Sequence, residues 1–173
     1  NNIALEIWQS NGMLRNNTLS QTITGLPNGT YVFGAYMMAT DQANYPSREN
    51  IRGFYMFANG DEIPVATNVV QGAGAIATDS IWAHAAKFNV ATIVEDGTLR
   101  VGVKVDNTNV NFTTIDNATL FFFGDMAPAD ALDKMAQIDM QRSVAIADTC
   151  VALKMNVDTL AYLTEKMEAA KAV

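Results

Sequence analysis

Leu19-Ser20-Gln21-Thr22-Ile23-Thr24-Gly25-Leu26-Pro27-Asn28-Gly29-Thr30-Tyr31-Val32-Phe33 is the stretch on which the fold turns. Leu19, Gln21 and Ile23 alternate with Ser20, Thr22 and Thr24, the period of a half-buried strand. Gly25 to Gly29 is turn chemistry: Pro27 presets its own φ, and Asn28 and Gly29 tolerate positive φ. Tyr31, Phe33 and Ala35 then alternate with Val32, Gly34 and Tyr36. The stretch reads as a strand, a tight turn and a second strand.

The pattern extends in both directions. Upstream, Ile3, Leu5 and Ile7 alternate with Ala4, Glu6 and Trp8, a first strand, and Gly12 to Asn17 is a loop. Downstream, the second strand runs to residue 40, and the polar stretch 41–50 is a long exposed loop. Strands are expected at 52–59, 62–70 and 81–92, with a turn at Gly60-Asp61 and a flexible Gln71 to Ala75. Glu95-Asp96-Gly97 is a hairpin signal. Leu99, Val101, Val103 and Val105 alternate with Arg100, Gly102, Lys104 and Asp106, and 112–123 closes the set. About eight short strands with no helix between them predict a mainly β fold, a two-sheet jelly-roll sandwich over residues 1–125.

The pattern changes after Gly124. Pro128 suits a first helical turn, and Asp130 and Asp133 favour the positive end of the helix dipole. Leu132, Ala136, Met140, Val144, Ala147, Val151 and Met155 recur every three to four residues, and Ile138, Ile146, Cys150 and Leu153 form a second stripe. Asn156 or Asp158 caps a following helix whose apolar face is Val157, Leu160, Leu163, Met167 and Ala170. Residues 126–173 are thus expected to form a C-terminal α-helical hairpin, part of a truncated bundle. Its apolar face calls for a partner: neighbouring domains of a larger chain, or another protein.

Composition narrows the function. The chain has 173 residues, 49% hydrophobic and 17% charged, enough to bury a core. A net charge of −7 argues against nucleic acid, whose binding rests on Lys and Arg neutralising phosphates. No apolar run approaches a membrane span, so no insertion is expected. The single cysteine, Cys150, excludes a disulfide scaffold. With no leader before the first strand and two abrupt ends, the chain reads as a piece of a larger protein. No nucleophile–base motif, phosphate loop or dinucleotide fingerprint is present. The single histidine, His84, lies in a strand pattern and Cys150 on an apolar stripe. We therefore expect no enzyme.

Four segments carry a family resemblance. Ser20 to Phe33 resembles the turn-linked hairpin of galactose-binding-domain-like β-sandwiches. Glu6-Ile7-Trp8, Phe54 to Gly60 and Asp116-Asn117 with the strand that follows resemble, in order, further segments of those modules. They are relatives of the carbohydrate-binding modules and recur in secreted, multidomain proteins of glycan-degrading gut bacteria. The resemblance covers residues 3–124. It implies a secreted or cell-surface bacterial protein and a non-catalytic accessory module that binds carbohydrate. The alternative is a structural spacer or protein-interaction domain with no glycan ligand.

The resemblance also implies candidate residues. Related modules hold a structural Ca²⁺ between first and last strands, which places Glu6 and Asp116 as metal ligands. Asp116 shares its alternation with Ala118, Leu120 and Phe122 and so is expected to point inward. There it needs a metal, backbone N–H groups or a lysine. Glycans are recognised by aromatic faces and by amide, carboxylate or guanidinium groups on hydroxyls. Loops at the sandwich ends supply these, which selects Tyr45, Arg48, Trp82, Asn109, Asn111 and Phe112. Each has a structural reading beside it: Asn as a turn former, Trp82 as core, Tyr45 as a lone surface ring.

Overall fold

In a computed structural model the described residues are 4–40, 51–65 and 86–152, with Thr164, Glu165 and Glu168. They form eight strands, β1 (Leu5–Trp8), β2 (Asn17–Thr24), β3 (Gly29–Thr40), β4 (Phe54–Ala58), β5 (Asp61–Pro64), β6 (Ala86–Val94), β7 (Thr98–Val105) and β8 (Phe112–Phe122), and one helix, α1 (Pro128–Ala152). The chain divides into two compact units, Asn1–Ala131 and Leu132–Val173.

The first unit holds every described strand, in two antiparallel four-stranded sheets ordered β1-β8-β3-β6 and β2-β7-β4-β5. The pairing is nested: β1 with β8, β2 with β7, β3 with β6 and β4 with β5. Alternation along each strand supplies the core. Tyr31, Phe33, Ala35 and Met37 of β3 meet Met56 of β4 and Leu99, Val101, Val103 and Val105 of β7 in one buried cluster. Two sheets thus share one apolar layer as a sandwich.

The two strands of the 19–33 stretch form, but not as a hairpin. β2 pairs with β7, from Asn17↔Val105 to Thr24↔Thr98, while β3 lies in the other sheet between β6 and β8. The Gly25–Asn28 turn carries the chain across the sandwich. Glu95-Asp96-Gly97 does the same between β6 and β7. Turn residues dictate a chain reversal; which sheet the next strand joins depends on distant partners. The two corners are tied together. Leu26 N–H donates to Gly97 O at 3.0 Å, Asn28 Nδ2 to Glu95 O at 2.6 Å, and Gly97 N–H to Asn28 Oδ1 at 3.1 Å. The tight hairpin that does form joins β4 to β5 at Asn59-Gly60.

A bulge in β8 corrects the expectation for Asp116. Phe33 opposes Leu120 and Met37 opposes Ile115, all on the core side, but the register shifts between Gly34 and Tyr36. Asn117 takes up the extra residue with φ of 50°. Asp116 thereby pairs with the exposed Tyr36 and sits on the outer face, off the Ala118–Leu120 stripe. An uninterrupted alternation cannot anticipate such a step.

Residues from 128 onward hold a single described helix where a helical hairpin was expected. Pro128 begins it and Asp130 stands in its first turn. The expected turn and second arm fall on residues 153–173, of which Thr164, Glu165 and Glu168 alone are described. Ser143 and Thr149 bond back to the carbonyls of Asp139 and Ala145, as hydroxyls in helix interiors do. Ile146, on the expected second apolar stripe, is exposed.

Candidate functional site at the end of the first strand

Three loops meet at one end of the sandwich, and backbone geometry holds them there. Gln9 N–H donates to Asn111 O at 2.9 Å and Leu14 N–H to Val110 O at 2.7 Å, which pins the 9–16 loop onto the 106–111 loop. Asparagine amides complete the lattice by standing in for missing strand partners. Asn16 Oδ1 accepts from Asn107 N–H at 2.8 Å, and Asn109 Oδ1 from Arg52 N–H at 2.8 Å. Gly53, at φ of +73°, lies so close to Asp106 O and Thr108 Cα that a Cβ there would overlap both.

Trp8 ends β1 at this lattice. Alternation puts Ile7 toward the core and Trp8 outward, and the indole is 61% exposed. Beside it lies a cavity of about 210 Å³. Ile7, Leu14 and Val105 form its walls, and Trp8, Gln9, Arg15 and Asn17 its rim. An exposed indole face can stack on the C–H surface of a sugar ring, while the neighbouring amides and guanidinium donate to hydroxyls.

The predicted residues distribute unevenly. Asn109, Asn111 and Phe112 belong to this end, but inside its framework. The Asn109 side-chain oxygen accepts from Arg52 N–H. Asn111 is 7% and Phe112 6% exposed, so the Phe112 ring offers no open face. Tyr45, Arg48 and Trp82, with His84, lie outside the described residues. Trp8 lies outside the predicted set, since its pattern marks it only as a strand residue. Its signal was present in the alternation, which set a tryptophan beside Glu6 on the outward face, next to a Gln-Ser-Asn-Gly loop.

Glu6 is exposed opposite Thr114, and Asp116 Oδ1 already accepts from Asn117 N–H at 2.6 Å. Among the described residues no three Asp, Glu, His or Cys side chains gather into a metal-binding group.

The outer face of the second sheet is organised differently. Arg100 lies 5.5 Å from the Phe57 ring centroid and Lys104 5.1 Å from that of Tyr55, so both rings have cations over their faces. Lys104 Nζ also donates to Glu62 Oε2 at 2.7 Å, a bond that raises the lysine pKa above its ordinary value. Trp8 is thus the most exposed aromatic face among the described residues. Compared with known proteins, the chain matches no family model, no curated protein and no solved structure.

Proposed function

We propose that this chain is a non-catalytic, carbohydrate-binding accessory module of a secreted or surface-anchored bacterial protein, and that Trp8 is its stacking platform. The observation that carries the reading is the indole: 61% exposed, at the end of a sandwich, with Gln9, Arg15 and Asn17 around one cavity. We read the sandwich as a jelly roll, a reading supported by the nested pairing of the first four strands with the last four in reverse order. The non-catalytic part of the reading rests on a chain with one histidine, one cysteine and no nucleophile–base motif.

A glycan array followed by isothermal titration tests the proposal. Trp8→Ala is expected to weaken binding at least about tenfold, the size of one aromatic contact, with the melting curve unchanged. A folded protein that binds no glycan, or whose binding ignores Trp8→Ala, overturns it and leaves the spacer or protein-interaction reading.

A further inference from the structure

We propose that the open edge between β1 and β2 is a binding groove for an amphipathic carboxylate, its alkyl chain lying between the sheets and its carboxylate on Arg15. The inference does not rest on the carbohydrate reading, and its ligand is of another class.

Among the described residues β1 and β2 are the edge strands of their respective sheets, and no described strand seals the sandwich there. Leu5 and Leu19 occupy inward positions of their strands, opposite Ile115 and Val103. They nevertheless remain 45% and 50% exposed. Beneath them a cavity of about 330 Å³ reaches Phe33, Met37 and Ile115, side chains that otherwise belong to the core. That volume falls in the range of small-molecule sites, which are predominantly apolar with a few placed polar groups.

The smaller cavity beside Trp8 shares Leu19 and Val103 with this one, so the two adjoin along β7, and the proposed trough runs through both. It follows β7 from Val101 to Val105, about 13 Å of strand. Its walls are hydrocarbon for most of that length. Among the described residues Arg15, at one end, is the only ionisable one lining either cavity, and it has no ion-pair partner there. In a chain of net charge −7, an unpaired guanidinium at the mouth of an apolar trough is complementary to one ligand type: a chain ended by an anion. A carboxylate accepts two parallel N–H bonds from the guanidinium fork. A sugar, with hydroxyls on every face, would leave them unsatisfied against Phe33 and Met37.

Titration calorimetry of the full chain with hexanoate, octanoate, decanoate and dodecanoate below their micellar concentrations tests this. Affinity is expected to rise about fourfold per added CH₂ until the trough is full. Decanol is expected to bind about tenfold more weakly than decanoate, the worth of a charged hydrogen bond, and Arg15→Gln to erase that difference. Ala118→Trp, at an exposed position on the cavity wall, is expected to abolish binding. Should Ala118→Trp fail to fold, Arg15→Gln on the exposed rim still decides. Absence of saturable binding, affinity independent of chain length, equal binding of decylamine, or indifference to Arg15→Gln overturns the proposal. A blank glycan array does not touch these outcomes, and an alkanoate failure does not touch the glycan result.

Discussion

A methyl group on Gly102 would run into Leu19 O and Ser20 Cα of the paired strand β2. Both are backbone atoms, so neither can rotate away. Gly102→Ala is therefore expected to destabilise the protein by about 1–3 kcal/mol. Gly60→Ala, with open space around the new Cβ, should stay within about 0.5 kcal/mol. Urea denaturation of the two variants checks both, and equal midpoints would refute the close-approach argument. Sequence shows Gly102 only as a gap in the outward-facing set Arg100, Gly102, Lys104. Trp8 was legible at this scale, because a period of two assigns it a face. Asn111 was not, because a loop residue has no period from which burial can be read.

Among elements, the two sheet-crossing corners matter most. Asn28 bonds to Glu95 O and to Gly97 N–H, so one side chain joins the β2–β3 corner to the β6–β7 corner. Asn28→Ala removes both bonds and is expected to cost about 1–2 kcal/mol. Asn28→Asp should cost less than Ala, since Oδ1 keeps the Gly97 N–H and only the Glu95 bond is lost. Thermal melts of the pair decide, and an unchanged Ala variant would mean the corners hold without the strap. The strands themselves were legible, since Leu99 to Val105 alternates cleanly and each residue type suits a half-buried surface. Their pairing was not. The Leu26-Pro27-Asn28 turn has the chemistry of a hairpin, and nothing in it reports that β2 will pair with β7, some 80 positions along the chain.

The whole sandwich is built from such distant pairings. β1 meets β8 through Leu5↔Ile115, β2 meets β7, and β4–β5 is the sole strand pair joined by a tight turn among the described residues. Loop-closure entropy must be met before most native contacts form. Refolding is therefore expected on the millisecond-to-second scale of non-local β folds. Stopped-flow tryptophan fluorescence measures it, and a microsecond phase carrying the full amplitude would contradict the nested topology. The formation of a groove is a property of the same scale. Leu5 and Leu19 are ordinary inward strand residues, and their exposure arises because both lie on edge strands that no described strand closes.

What the sequence by itself determined is local: the strands, their inward faces, the reversals at Gly25–Gly29 and Glu95–Gly97, and the start of a helix at Pro128. Each follows from steric preference and alternation over a few residues. Tertiary structure alone decided which sheet each strand joins, that β8 bulges at Asn117 and turns Asp116 outward, that Phe112 and Asn111 are enclosed, and that cavities open beside the edge strands β1 and β2. Those outcomes depend on residues tens of positions apart competing to bury the same surface, and no short window of sequence contains both competitors.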